Sequence, residues 1–195
     1  MQKKLEKEIL NEFKELAMEN ILFKVNFLEK SSSENGIDDI EFLIRTNVGD
    51  DLKALSKIAS GGEVSRIMLA LQIVINKNNN VSTLIFDEID TGISGKASLN
   101  VSKKLNKLSL NNQVICITHL PIVAAMADNH FWIEKHLINN TTKINVTKLN
   151  NQNKIEKIAN MSSGIINDKT LKYAKEICLK AEDYKKSLLE FTFSK

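Results

Sequence analysis

Three short segments carry side chains suited to phosphate chemistry. Leu84-Ile85-Phe86-Asp87-Glu88 sets two carboxylates at the end of an apolar run. In nucleotide hydrolysis one such acid holds Mg2+ through its hydration shell, and its neighbour polarises the attacking water. A strand that simply ends in solvated acids is the plainer alternative. Ser60-Gly61-Gly62-Glu63 precedes a run of helical periodicity. A capping box, with Ser60 accepting from the third helical residue and Glu63 reaching back, accounts for its ends. It does not account for two consecutive glycines, which let a ligand come close to the backbone; an open helix N-terminus suits a phosphate. Thr118-His119 closes a second apolar run, and there an imidazole would reach a γ-phosphate or the attacking water if the topology brings it to Asp87-Glu88. A lone histidine is otherwise a structural hydrogen-bonding residue.

These segments need elements to hold them. Residues 3–19 predict an amphipathic helix on Leu5, Ile9, Phe13 and Leu16, and core packing is the ordinary meaning of such a stripe. Residues 22–27 and 40–45 read as antiparallel strands joined through the polar stretch 31–36. From Ser60 a largely buried helix follows on Val64, Ile67, Met68, Leu71, Val74 and Ile75. Short strands over 81–86 and 113–118 alternate with a helix over about 95–108, and Pro121 opens another helix. Phe131-Trp132-Ile133, a strand at 144–149, and helices near 153–160 and 168–190 complete the chain. The alternation of helix and strand predicts an α/β fold with a mostly parallel sheet flanked by helices. In such sheets ligands gather at the carboxyl ends of the strands, which is where Asp87, Glu88 and His119 fall.

Composition narrows the classes. In 195 residues, 43% are hydrophobic and 26% charged, which supports a buried core and excludes disordered and collagen-like chains. No apolar run approaches the roughly 20 residues of a membrane span, and residues 1–8 lack the apolar stretch of a secretory signal, so a cytoplasmic location without membrane association is expected. Cys116 and Cys178 suggest neither a disulfide nor a zinc site. The net charge of +3, with only Arg45 and Arg66 as arginines, permits nucleic-acid affinity without demonstrating it. Lys169, Lys172, Lys175, Lys180, Lys185 and Lys186 stand near the last helix, where such charges usually form a solvated face.

The loop G-x-x-x-x-G-K-[ST], which cradles ATP phosphates, is absent; Gly92-Ile93-Ser94-Gly95-Lys96-Ala97 fails in both spacing and final residue. The chain thus has the hydrolytic half of a nucleotide site without its main phosphate loop.

Residues 59–71 resemble the ABC-type signature and following helix of the RecN family of bacterial DNA repair proteins. Residues 87–95 resemble its Walker B and D-loop region, and residues 118–128 its switch-histidine segment. The resemblance spans essentially the whole chain. It implies the C-terminal lobe of an ABC/SMC-type P-loop NTPase head: residues 1–19 as the end of a coiled-coil helix and 20–195 as the lobe. Family roles carried onto matching positions give Asp87 on Mg2+ through water, Glu88 as general base, and His119 on the γ-phosphate. They give Ser60, Gly61, Gly62 and Glu63, with Asp90 of the D-loop, to ATP held by an opposing head. The implied partners are a P-loop-bearing N-terminal lobe, a second head and DNA, so that ATP turnover is coupled to head dimerisation in double-strand break repair. The chain alone is predicted inactive, either as part of a longer protein or as the product of a split gene. A sheet face bared by the missing lobe predicts aggregation or tight association. Ser162-Ser163-Gly164 stands where the family leads one to expect Gly-Gly, a departure expected to affect only a turn. SMC, RecF and ABC-transporter ATPases are more distant matches. A catalytically silent interaction module is the reading from a different class, and the absent P-loop is what supports it.

Overall fold

In a computed structural model, residues 2–34, 36–58, 61–75, 82–138 and 141–193 are described. The chain divides into two compact units, residues 1–104 with 111–117, and 105–110 with 118–195.

The first unit opens with helix α1, Gln2–Glu15. Its stripe buries Ile9 and Phe13, with Leu16 just beyond its end, while Gln2 to Lys4 stay exposed. Phe13 meets Phe23 edge-on, the ring centroids 6.1 Å apart, so the end of this helix is part of the core. The chain leaves α1 through a left-handed residue, Ala17 at φ 60°. Met18 N donates to Phe13 O at 2.9 Å and Ala17 N to Lys14 O at 3.3 Å, the hydrogen-bond pair of a Schellman cap. Alanine pays for that φ with its Cβ. Ala17→Gly should therefore raise the stability of the unit by about 1 kcal/mol, read as a higher denaturant midpoint at unchanged slope.

Strands β1, Leu22–Ser33, and β2, Gly36–Arg45, form an antiparallel hairpin, and the short β3, Lys53–Ala54, pairs with β2. Both long strands run well into the stretch expected to be a connection. Exposed backbone there is satisfied by the facing strand whatever the side chains, so serines and acids do not stop the ladder; a register shift between Glu29 and Ser33 absorbs the irregularity.

Helix α2, Gly62–Ile75, buries Arg66, Ile67, Leu69, Ala70 and Leu71. It is less enclosed than its composition suggests: Met68 is 41% exposed, and with Val64 it lines an open groove against Ile40, Phe42 and Leu55. Strands β4, Thr83–Phe86, and β5, Gln113–Cys116, are parallel, joined by the crossover helix α3, Gly95–Ser109. Among the described residues, parallel pairing is confined to these two strands. Only the helical crossover sets strands side by side in the same direction, whereas strands joined by tight turns pair antiparallel. The α/β class therefore holds, but the mostly parallel sheet reduces to this central pair.

In the second unit, α4, Pro121–Met126, packs with α5, Asn151–Ser163, and α6, Asp168–Phe193. The contact is rich in alanine: Ala124, Ala125, Ala159, Ala174 and Ala181 surround Ile158 and Ile177. Asn150 and Asn167 act as caps. Asn150 Oδ1 accepts from Asn153 N, and Asn167 exchanges two bonds with Thr170. Gly164 ends α5 at φ 73°, its N–H donating to Asn160 O, so the Ser-Ser-Gly departure is a turn. Strands β6, Phe131–Ile138, and β7, Thr141–Lys148, form an antiparallel hairpin. Trp132 Nε1 donates to Glu134, and the Lys157 ammonium lies 4.4 Å from the Trp132 ring centroid. No helix among the described residues is long and apolar enough to cross a membrane.

Candidate nucleotide site

Asp87 and Glu88 follow β4 directly and both side chains are exposed. The apolar strand ends there, and the chain turns at once: Thr91 N donates to Glu88 O at 3.1 Å, and Glu88 takes the left-handed φ of 54°. A non-glycine residue holds such a conformation only where its surroundings over-determine it.

Those surroundings are the first two turns of α2. Gly61, at φ 146°, accepts from Ser65 N and is the N-cap, one residue later than a capping box built on Ser60 requires. Ser60 itself lies outside the described residues. Gly62 is pressed against the turn: a Cβ built there would stand 2.7 Å from Glu88 O and 2.8 Å from both Thr91 Cβ and Thr91 O. The second glycine thus has a structural reason, whatever ligand its amides meet. Ser65 Oγ donates to Asp87 O at 2.6 Å, and Arg66 Nη1 donates to Thr91 O at 2.7 Å and Ile89 O at 3.3 Å. Glu63 is exposed on the first turn.

The structure thereby brings Gly61, Gly62 and Glu63 together with Asp87, Glu88 and Asp90 in one unit. Asp90 is only 1% exposed, so its carboxylate is buried while those of Asp87 and Glu88 are open. His119 is exposed and belongs to the second unit; Thr118 Oγ1 beside it accepts from Leu120 N. Cys116, at the end of β5, has its thiol pushed up to about 12 by burial, with Asp90 and then Asp87 adding to the effect. It is a neutral thiol and no nucleophile. Burial also draws the Arg66 guanidinium below its ordinary pKa, with Glu63 opposing.

No group of three His, Cys, Asp or Glu side chains among the described residues could hold a metal ion. A divalent cation at Asp87 would take its other ligands from water and phosphate, as Mg2+ commonly does, so the donor set fits Mg2+ only together with a nucleotide.

Sequence reasoning missed Ser65 and Arg66 as parts of this site. The available signal was Arg66 itself, a charged residue inside an apolar helical stripe, which is seldom buried without a partner.

A parallel crossover pair with carboxylates at its carboxyl end, beside a glycine-opened helix, gives the chain a fold similar to that of solved Smc head domains. The solved Smc head domain of Pyrococcus yayanosii superposes with a TM-score of 0.57 at 20% identity over 83% of this chain and 29% of that one. That of Pyrococcus furiosus gives 0.50 at 20% identity over 75% and 35%. In sequence the chain is similar to DNA repair protein RecN: 42% identical to that of Bacillus subtilis over 94% of this chain, and 45% to that of Rickettsia bellii over 90%. The chain is a RecN-related sequence with the fold of an SMC head lobe. It spans about a third of those relatives, 35% and 32% of their lengths. No family model matches it.

Proposed function

We propose that this chain supplies the signature and Walker B half of a RecN-type ATPase, and that a P-loop-bearing lobe completes the site. The observation that carries this reading is the exposed pair Asp87 and Glu88 on a turn bound to the glycine N-terminus of α2. Asp87 would hold Mg2+ through water, lending charge neutralisation to the phosphates. Glu88 takes the proton of the attacking water, and His119 contacts the γ-phosphate. Ser60, Gly61 and Gly62, with Glu63 and Asp90, serve the ATP of an opposing head, so that turnover is coupled to dimerisation and DNA engagement in the bacterial cytoplasm, at the nucleoid. Of the lysines of α6, Lys180 is held by Glu176 and Lys185 by Asp128, each at 2.6 Å, which leaves those two less available to DNA.

The bare sheet face supports a completing lobe. Ile85, Ile115 and Ile117 are 67%, 44% and 53% exposed, and Ile85 and Ile115 stand opposite each other across β4 and β5. Parallel sheets are ordinarily covered on both faces. Ile115→Asp should weaken association with a P-loop-bearing RecN lobe at least about tenfold, since a charge would face the buried contact. Calorimetric titration of the two lobes measures it; unchanged affinity would place the contact elsewhere.

A further inference from the structure

We propose that Arg66, assisted by Ser65, is a positioning residue for Glu88, fixing the turn that aims its carboxylate. This rests on the reading of Glu88 as the base. Glu88 sits in a conformation that a glutamate does not adopt by preference, and within its turn the Thr91 N to Glu88 O bond is the closure. Outside the turn, α2 holds the carbonyls on both sides of it: Ser65 takes Asp87 O, and Arg66 takes Ile89 O and Thr91 O. The contact at Gly62 sets the depth of the turn against the helix.

Arg66 is 6% exposed, and its Nε is buried with no hydrogen-bond partner. A buried cation with an unsatisfied donor is a costly way to fill space. A leucine would pack there without that cost but would leave the carbonyls of Ile89 and Thr91 without their donor. The guanidinium reaches two carbonyl oxygens two residues apart from one nitrogen, and a lysine ammonium, a compact point donor on a flexible stem, does not hold both in the same way.

The test uses the complete ATPase containing this chain, with Arg66→Lys, Ser65→Ala, Ser65→Thr and Glu88→Gln compared for kcat, KM for ATP and amide hydrogen exchange at residues 87–91. Misplacing a catalytic group by about an ångström costs roughly 10²-fold, so Arg66→Lys should lower kcat about 10²-fold with KM unchanged. Ser65→Ala should lower it about tenfold, and Ser65→Thr, which keeps the hydroxyl, should restore it. Exchange at 87–91 should quicken in Arg66→Lys and Ser65→Ala alone. Wild-type kcat and exchange in both variants would overturn the proposal, as would a loss expressed only in KM. Should Arg66→Lys fail to fold, the Ser65 pair decides. If Glu88→Gln keeps full activity while exchange still quickens in Arg66→Lys, the base reading fails and the clamp on the turn stands.

Discussion

Glu88→Gln should abolish nearly all ATP turnover by the completed head, a fall of about 10²–10⁴-fold, the usual worth of a positioned general base. The substitution keeps the size of the side chain and leaves the backbone bonds of the turn in place, since Thr91 N, Ser65 Oγ and Arg66 Nη1 all engage carbonyl oxygens. On the proposed assignment, what it removes is the acceptor for the proton of the attacking water. ATP affinity and the unfolding midpoint should stay at their wild-type values. Steady-state hydrolysis beside equilibrium nucleotide binding separates the two. Turnover within a fewfold of wild type would remove Glu88 from the base role.

Gly62→Ala should be the most disruptive single-methyl change in the first unit. The added Cβ would meet Glu88 O at 2.7 Å and Thr91 O at 2.8 Å, and backbone atoms do not swing aside as a side-chain end does. Overpacking of this kind costs about 1–3 kcal/mol. It should appear as a lower denaturant midpoint, together with reduced kcat, because the atom that must move belongs to Glu88. Gly61 next to it has open space around a built Cβ, and its cost is conformational, set by φ +146°. The two variants therefore differ in kind: Gly61→Ala strains the helix cap, whereas Gly62→Ala displaces the turn that carries Glu88.

The parts of this site that follow from side-chain type were legible in the sequence. An apolar run ending in two acids, and a glycine pair ahead of helical periodicity, predicted β4 and α2 close to where they stand; the turn that follows β4 was not foreseen. The clamp was not legible, because Ser65 and Arg66 bond to backbone carbonyls some 22 to 25 positions away. A bond to a carbonyl leaves no partner residue type to read. The hairpin of β1 and β2 was foreseen but cut short, since exposed strands need no alternating pattern once their backbones pair. The N-terminal stripe correctly marked a helix, and the structure shows its buried residues, Ile9 and Phe13, in the core of the unit. Ile85 and Ile115 leave an open apolar face on the parallel pair, and Ile85, between the buried Leu84 and Phe86, calls for cover on both sides of its strand.

Steady-state ATP hydrolysis by this chain, by a P-loop-bearing RecN N-terminal lobe, and by their mixture bears most directly on whether the chain is half of a divided site. Activity should appear in the mixture alone, and Glu88→Gln in this chain should remove it. Turnover by this chain by itself, or a folded mixture that binds ATP and hydrolyses none, would contradict the account; the second result would make the chain an interaction module.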